Sequence, residues 1–265
     1  MILADTHTHL FDQAFDQDRE QAIERALNEG VRYMFMPAVD HTSEQALFNL
    51  VRSHPDCCFA MAGFHPTSVN EFADDLDDHL NHISDLLATP PQGIQFCAVG
   101  EIGLDLYWSK DFLEEQIKAL RFQFDLAIKY DLPVVIHTRD AWEPMCAEIL
   151  SYKGRGLRGI MHGFSGSYED YVKIREAGDF LFGIGGPITY KKAPQAAVIE
   201  RMDLNDIVLE TDAPYLSPVP FRGKRNESSY IPIICQKVAE LMGKSVTQVA
   251  STTTASALRM LLPNK

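Results

Sequence analysis

The sequence predicts a (β/α)8 barrel, a fold in which parallel strands alternate with helices around a closed sheet. Three observations support this prediction. Eight short apolar segments alternate with segments of helical length, and the 265 residues match the roughly 250 that one such barrel needs. Histidines and acidic residues also follow most of the apolar segments, at the strand ends where this fold places its active site. We therefore expect a single domain over residues 1–265.

The apolar segments have the character of strands that are buried on both faces. Each is short, rich in apolar side chains and mostly flanked by glycine, proline or polar residues, as parallel strands covered by helices should be. The predicted strands are Ile2–Thr6, Val31–Val39, Cys57–Phe64, Phe96–Ile102, Leu132–His137, Gly159–His162, Phe180–Ile184 and Ile207–Thr211.

Amphipathic segments of helical length lie between these strands and after the last of them. The predicted helices are Asp16–Glu29, Ser43–Ser53, Phe72–Ala88, Phe112–Tyr130, Trp142–Ser151, Tyr168–Ala177, Pro194–Met202, Ser229–Met242 and Ser245–Leu262. Alternation of strand and helix is typical of a parallel α/β fold. Eight repeats favour a closed barrel over an open sheet.

Composition narrows the classes of function. The net charge of −13 argues against a protein that binds nucleic acid passively through a basic surface. It does not exclude an enzyme that meets phosphate through bound cations. The five cysteines form no C-x-x-C pair, and Cys57, Cys58 and Cys97 stand in apolar runs, so we interpret them as reduced core residues.

The chain shows no targeting or membrane-spanning pattern. Its first residues lack the basic and apolar regions of a signal peptide, and no apolar run approaches the ~20 residues that span a bilayer. These features predict a soluble, cytoplasmic protein without membrane contact, and no segment indicates an obligate protein partner.

Metal-ligating residue types stand at the carboxyl ends of five predicted strands. They are His7 and His9 after the first strand, Glu101 in the fourth, His137 in the fifth, His162 in the sixth and Asp212 after the eighth. His7 and His9 are two residues apart on an extended chain, so their side chains point to the same side. Imidazole and carboxylate ligands suit zinc, manganese and similar ions. Six ligands exceed the need of one tetrahedral ion, and with one shared carboxylate they could hold two.

Each candidate also has a structural interpretation. A lone H-x-H pair is often a pair of core or surface histidines, Glu101 could pair with a buried arginine, and Asp212 could cap a loop. The coincidence of ligand-type residues at five separate strand ends favours the metal site over these alternatives.

Further residues are candidates for binding a substrate. His65 either contacts substrate or stabilises its turn, and Arg139 either binds phosphate or pairs with Asp140. A basic cluster in the proline-rich loop after the eighth strand suits an anionic substrate, although it could also be a plain surface loop. That cluster consists of Arg222, Lys224 and Arg225.

Several segments together resemble the TatD family of metal-dependent hydrolases, which belongs to the amidohydrolase-like barrels. They occur in the family's order, from the first strand to the loop after the eighth. They are Asp5-Thr-His-Thr-His-Leu10, Gly63-Phe-His-Pro66, Val99-Gly-Glu-Ile-Gly-Leu-Asp105, Leu132-Pro-Val-Val-Ile-His-Thr-Arg139, Met161-His-Gly-Phe-Ser-Gly-Ser167, Leu209-Glu-Thr-Asp-Ala-Pro-Tyr215 and Arg222-Gly-Lys-Arg-Asn226.

The resemblance implies a TIM-type barrel, two divalent metal ions (Mg, Mn or Zn) and deoxyribonuclease activity, often as a 3′-to-5′ exonuclease on single strands. By position, it implies that one ion is held by His7, His9, Glu101 and Asp212 and the other by Glu101, His137 and His162. Glu101 would bridge the ions, and Asp212 would orient or deprotonate the attacking water. Two positions depart from the family: Thr8 stands where many members have cysteine, and Ser256 where asparagine is usual.

Three hypotheses for function follow. The first is hydrolysis of a phosphodiester bond in single-stranded DNA, or in a small phosphoester, by attack of a metal-bound hydroxide, with Asp212 and Glu101 as catalytic residues. The second is a small-molecule amidohydrolase or lactonase that uses the same metal centre, because a fold does not fix a substrate. The third, a non-catalytic metal-binding module, would be expected to lack one of these two carboxylates. The basic loop favours the first hypothesis.

Overall fold

The computed structural model describes residues 1–262. Its strands form one parallel sheet in the order β1 to β8, and each predicted strand overlaps one of them. The strands are β1 Leu3–Asp5, β2 Val31–Met36, β3 Cys58–Ala62, β4 Phe96–Asp105, β5 Val134–Arg139, β6 Gly159–Met161, β7 Phe180–Ile184 and β8 Ile207–Leu209. The predicted (β/α)8 barrel is therefore confirmed.

Helices separate the strands and follow the last of them. They are α1 Arg19–Asn28, α2 His41–Ser53, α3 Pro66–Glu71, α4 Leu76–Ala88, α5 Leu113–Lys129, α6 Trp142–Ser151, α7 Tyr168–Ala177, α8 Ala196–Ile199, α9 Ile231–Met242 and α10 Val246–Leu261. Most of the predicted helices match these within one to three residues. Predicted and observed bounds coincide for α6 and α7.

Two helical segments differ from the prediction. Helix α3 is absent from the prediction because its six residues are too few to show a period; it begins at Pro66, which suits the first position of a helix. The predicted helix Pro194–Met202 was too long, because α8 covers only four of its residues. The amides of Arg201 and Met202 donate to carbonyls three residues back, so the segment ends in tighter turns.

The chain divides into two compact units. The first comprises residues 1–36, 53–59 and 181 onward. Within it β1 pairs with β2 and β7 pairs with β8, both in parallel. The amide of Thr6 donates to the carbonyl of Leu209 at 3.0 Å, so the first and last strands of the sheet are joined, as a closed barrel requires. Helix α10 packs against both β1 and β8.

The second unit comprises residues 37–52 and 60–180. In it β4 pairs in parallel with β3 on one side and β5 on the other, and β5 pairs with β6. Helix α5 packs against β4, and α6 packs against β5 and α7. Residues Val134, Val135 and Ile136 of β5 are fully buried, as a strand with two covered faces should be. The prediction of one domain over residues 1–265 stays a prediction.

The cysteines are core residues, as the sequence predicts. All five are buried and have free thiols. Burial raises the pKa of the Cys97 thiol to about 12, which keeps this side chain protonated and unreactive. None of the helices over residues 1–262 combines the length and the apolar composition needed to cross a membrane.

Candidate metal centre

The first cluster of ligand-type side chains, the His7 group, consists of His7, His9 and Asp212. It lies in the first unit, just past the carboxyl ends of β1 and β8. The amide of Asp212 donates to the carbonyl of His7 at 2.9 Å, and that of His9 to Ala213 at 2.7 Å. These backbone bonds extend the pairing of the two strands and bring together residues that lie more than two hundred positions apart.

In the His7 group, the carboxylate of Asp212 lies close to the separation from the imidazole nitrogens that a divalent ion requires, within the range for His9 and slightly above it for His7. Asp212 Oδ1 lies 3.4 Å from His9 Nε2 and 3.9 Å from His7 Nε2. Ligand atoms of a tetrahedral ion with bonds of ~2.0–2.2 Å lie about 3.3–3.6 Å apart. The His7 side chain is fully buried and that of Asp212 is 19% exposed, so the cluster opens to solvent on the carboxylate side.

Asp5 fixes the strand ends that carry this group. Its buried carboxylate accepts hydrogen bonds from the amide and hydroxyl of Thr211, at 2.9 and 2.6 Å, and from the amide of His7 at 3.3 Å. Burial raises the pKa of Asp5 to about 7, against the lowering effect of its hydrogen bonds with Thr211 and Ser228. One side chain therefore ties the backbone before Asp212 to that of His7.

Asp212 adopts a backbone conformation that few residue types tolerate. Its φ angle is +57°, in the left-handed region where Asp and Asn are enriched among non-glycine residues. The following loop is held by Asn226, whose side-chain amide donates to the carbonyls of Thr211 at 2.7 Å and Tyr215 at 2.6 Å. The loop therefore presents the carboxylate from a fixed backbone.

The second cluster, the Glu101 group, lies in the second unit and is built around one carboxylate oxygen. Glu101 Oε1 lies 3.1 Å from His137 Nδ1, 3.5 Å from His65 Nε2 and 3.8 Å from His162 Nε2. Glu101 belongs to β4 and His137 to β5, while His65 and His162 follow β3 and β6. Glu101 is only 3% exposed. A buried carboxylate surrounded by imidazoles is a ligand set suited to a divalent cation.

A glycine allows β4 and β5 to approach each other beside this group. Gly103 has φ +152°, and a Cβ atom there would lie 2.0 Å from the carbonyl oxygen of His137. No side chain fits in that space. The second glycine of the segment Val99–Asp105 therefore serves the close packing of the two strands that carry Glu101 and His137.

His65 differs from the other imidazoles in its hydrogen bonds. Its Nδ1 accepts from the amide of Thr67 at 3.1 Å, where His65 caps α3, and lies 2.6 Å from the Thr67 hydroxyl. In the neutral ring the proton then sits on Nε2, the atom that faces Glu101. A protonated nitrogen donates hydrogen bonds and does not ligate metal, so this geometry favours contact with substrate.

Asp105 orients His137 from the side opposite Glu101. Its Oδ2 lies 2.9 Å from His137 Nε2, which leaves Nδ1 directed at Glu101. Burial alone would raise the pKa of Asp105, but the hydrogen bond and charge of His137, the hydrogen bond from the Tyr107 amide and the charge of Arg139 together outweigh it and lower the pKa. Burial alone would lower the pKa of His137, but the hydrogen bonds with Asp105 and Glu101 raise it to about 9. A metal ion at Nδ1 must therefore displace a proton.

Replacing Asp105 with asparagine is expected to weaken metal binding by about 10- to 100-fold, the usual effect of losing a carboxylate that orients a ligating histidine. Asparagine keeps an oxygen for the Tyr107 amide, which donates to Asp105 Oδ1 at 3.0 Å. Competition with a chelating dye measures the affinity. An unchanged affinity in a folded Asp105→Asn protein would show that His137 does not depend on this carboxylate.

The predicted basic residues occupy three kinds of environment. The exposed Arg139 stacks its guanidinium over the Tyr107 ring, 3.6 Å from the centroid. Arg222 and Lys224 are also exposed, and Arg222 lies 4.5 Å from the Tyr190 ring centroid. Arg225 instead forms two hydrogen bonds with the Asp18 carboxylate, at 2.5 and 2.8 Å. The guanidinium of Arg225 is therefore engaged in holding the loop.

Imidazole and carboxylate clusters at the carboxyl ends of barrel strands are typical of metal-dependent hydrolases. Comparison with known proteins specifies the family. The model of the TatD-related DNase family matches residues 4–262, and the chain belongs to this family. The resemblance seen in the sequence is thereby confirmed, and the protein is a metal-dependent hydrolase of the TatD type.

Similar proteins cover the whole chain. The metal-dependent hydrolase YabD of Bacillus subtilis is 34% identical over 264 residues, with 99% of this chain and 100% of YabD covered. A protein of Pectobacterium carotovorum named 3′-5′ ssDNA/RNA exonuclease TatD is 28% identical over 262 residues, covering 97% and 98%. The crystal structure of the TatD homologue YjjV from Escherichia coli aligns with a TM-score of 0.88, 28% identity and coverage of 98% and 97%.

Two positioning residues escaped the interpretation of the sequence. Asp5 and Asp105 appear there only as members of longer motifs, without a role. Each lies within four residues of a candidate ligand, at the carboxyl end of β1 or β4. A buried acidic residue at such a position is a signal that could have revealed them, because a buried carboxylate needs hydrogen-bond partners nearby.

Proposed function

We propose that the protein is a deoxyribonuclease that hydrolyses phosphodiester bonds of single-stranded DNA from the 3′ end. The observation that carries the proposal is the Glu101 group, in which three imidazole nitrogens lie within 3.8 Å of one carboxylate oxygen. An exposed cationic side chain, Arg139, ends β5, the strand that carries His137. Relatives that are named 3′-5′ ssDNA/RNA exonucleases and align over nearly the whole chain support this substrate class.

Each of the two groups is proposed to hold one divalent ion, Mg, Mn or Zn. His7, His9 and Asp212 would hold the first, and Glu101, His137 and His162 the second; a bridging role for Glu101 stays a prediction. The donor sets fit, because the ligand atoms of His7, His9 and Asp212 all lie within 4.8 Å of one another, and Glu101 Oε1 lies 3.1 Å from His137 Nδ1 and 3.8 Å from His162 Nε2. When bound, such ions supply a nucleophile at neutral pH and neutralise charge that develops on phosphate.

Side chains of the protein itself would position the water and the substrate and would transfer protons. Asp212 is partly exposed and held rigidly, so it would orient the attacking water and accept its proton. His65 would donate from Nε2 to a phosphate oxygen. The negative charge on the phosphate backbone of the DNA would be neutralised by Arg139, Arg222 and Lys224. Arg225 was predicted as a further substrate contact; its bonds with Asp18 favour a role in supporting the loop.

The decisive experiment uses a 5′-labelled single-stranded oligonucleotide with Mg²⁺ or Mn²⁺, beside a chelator control and the Glu101→Ala variant. The proposal expects a ladder that shortens from the 3′ end and disappears in both controls. An intact oligonucleotide, incubated with a protein that demonstrably binds metal, would overturn the proposal and favour the small-molecule hydrolase. A panel of dihydropyrimidines and lactones would then identify the activity.

Substitution by alanine is expected to affect substrate binding at Arg222 and protein stability at Arg225. Arg222→Ala should raise KM for the oligonucleotide about tenfold, the factor that corresponds to about 1.4 kcal/mol for one charge-assisted hydrogen bond, with an unchanged melting temperature. Arg225→Ala should lower the melting temperature by about 2–4 °C for each kcal/mol of stability lost, because Asp18 loses one of its two arginine partners. Steady-state kinetics and thermal unfolding measure the two effects.

The effect of Arg225→Ala should also depend on pH. Hydrogen bonds from Arg225 and Arg25 lower the pKa of Asp18 from its usual 3.8. A carboxyl group whose pKa is lowered by folding stabilises the folded state at pH values above its pKa in the unfolded chain. This contribution is lost as the pH falls toward the pKa of the folded state. The difference in melting temperature should therefore be full at pH 7 and shrink below pH 3.8. A difference that is constant with pH would contradict the assigned ion pair.

A further inference from the structure

Two exposed aromatic side chains follow β4. Trp108 is 69% exposed, the largest value among the exposed large apolar side chains of residues 1–262, and its neighbour Tyr107 is 53% exposed. Their rings are 4.9 Å apart and meet edge to face, with an interplanar angle of 86°. A tryptophan that stays in water gives up the stabilisation that burial of its ring would provide, so this surface suits a ligand with flat apolar faces.

Arg139 completes this surface. Its guanidinium carbon lies 3.6 Å from the centroid of the Tyr107 ring and 5.7 Å from that of Trp108. The arginine follows His137 by two residues on β5, and its carbonyl accepts a hydrogen bond from the Leu106 amide at 2.9 Å. The surface, which we call the aromatic ledge, therefore consists of Tyr107, Trp108 and Arg139. It combines π faces with a positive charge.

The aromatic ledge is connected to the Glu101 group through one side chain. Asp105 accepts from the Tyr107 amide through Oδ1 at 3.0 Å and lies 2.9 Å from His137 Nε2 through Oδ2. Asp105 is 1% exposed. The same carboxylate thus fixes the turn that carries the two aromatic rings and orients the candidate metal ligand His137. The position of the ledge relative to the Glu101 group is therefore fixed.

We infer that the aromatic ledge stacks against nucleobases of a single-stranded substrate while the phosphate next to them is held at the Glu101 group. This inference rests on the proposed function and specifies how the strand is bound. Stacking on aromatic rings is tolerant of sequence and strengthens binding by about 5- to 150-fold for each base. Arg139 adds electrostatic attraction for a polyanion. Because the net charge of the protein is −13, positive charge for binding a polyanion must be supplied locally.

The two tryptophans of the chain allow a direct test by fluorescence. The probes are an octathymidylate with phosphorothioate linkages, which resist cleavage, and an abasic octamer of the same linkages and charge, each titrated in Mg²⁺. The variants are Trp108→Phe and, as its matched control, Trp142→Phe. Trp142 begins α6 and packs against Phe164, with 5.1 Å between ring centroids. It provides a second indole outside the ledge.

The inference expects that octathymidylate quenches the emission of wild type and of Trp142→Phe but not of Trp108→Phe. It also expects the abasic octamer to bind at least about 5-fold more weakly without this quenching. Trp108→Ala should lose most of the preference for bases, and Trp108→Phe should retain much of it. Tyr130→Ala, which removes an aromatic ring under Lys129 at the end of α5, should retain all of it.

The outcomes separate this inference from the proposed function. Base-dependent quenching of Trp108 without cleavage of any oligonucleotide would support the aromatic ledge and overturn the nuclease. Cleavage of oligonucleotides with equal binding of thymidine and abasic strands, or with quenching that persists in Trp108→Phe, would overturn the aromatic ledge and leave the nuclease in place.

Discussion

Replacing Glu101 with glutamine is expected to lower the rate of oligonucleotide hydrolysis by about 10³-fold. A catalytic metal stabilises the transition state by several kcal/mol, and the loss of that stabilisation corresponds to a factor of about this size. Glu101 Oε1 lies within 3.8 Å of an imidazole nitrogen of each of His65, His137 and His162. Glutamine preserves the shape of the side chain but removes the charge that attracts a cation. The effect should fall on kcat, measured with saturating metal and substrate.

Thermal unfolding of the same variant serves as a control for its structure. Glu101→Gln should leave the metal-free protein folded, since the side chain keeps its volume and its place in β4, but with a lower melting temperature, because His137 loses one of its two carboxylate partners. Activity within tenfold of wild type in a folded Glu101→Gln protein would exclude Glu101 as a ligand of the catalytic ion. A protein that fails to fold would direct the test to Glu101→Asp, which keeps the charge but withdraws the oxygen.

Replacing Asp212 with asparagine should also have a large effect, a loss of about 10²- to 10⁴-fold in kcat, as expected for removal of a general base. Asparagine is the right substitute because it tolerates the left-handed backbone found at this position, with φ +57°. The variant removes the charge without straining the loop. A plot of kcat against pH tests the role, since its acidic limb should flatten when the residue that accepts the proton is absent.

A matched control is available in the same chain. Asp131 also has a left-handed backbone, with φ +52°, and forms a surface ion pair with Arg158 before β5 begins. Asp131→Asn should change activity by less than about twofold, because an exposed ion pair contributes little. Equal losses of activity in Asp212→Asn and Asp131→Asn would show that the effect comes from the backbone of a tight turn and not from catalysis.

The fold was largely predictable because each strand is a short apolar run between polar breaks. The period of such runs locates β1 to β8 but not their ends; β4, for example, continues three residues past the predicted Ile102 to Asp105. Glycine at position 103, which the sequence offers as a break, instead allows β4 to pass close to His137. Local pattern cannot distinguish these two uses of glycine, because the difference lies in the neighbouring strand.

The candidate ligands were predictable for a related reason. Their positions at strand ends follow from the fold, so residues distant in sequence could be grouped without coordinates. The hydrogen-bonding roles were not predictable. The bond between Asp105 and His137, the tautomer implied for His65 and the pairing of Arg225 with Asp18 depend on side-chain directions set by tertiary packing. A charged side chain that the sequence assigns to substrate binding, such as Arg225, can thus be engaged in an ion pair in the folded chain.

The number of bound ions tests the central claim, that the His7 group and the Glu101 group each hold a divalent metal. The protein and its Asp212→Asn and Glu101→Gln variants would be loaded with Mn²⁺ or Zn²⁺, freed of excess metal and measured by elemental mass spectrometry. The claim predicts about two ions per chain in the wild type and about one in Asp212→Asn. Glu101→Gln should retain one ion, or fewer if Glu101 also bridges. Equal metal content in all three proteins, or none in the wild type, would contradict the claim.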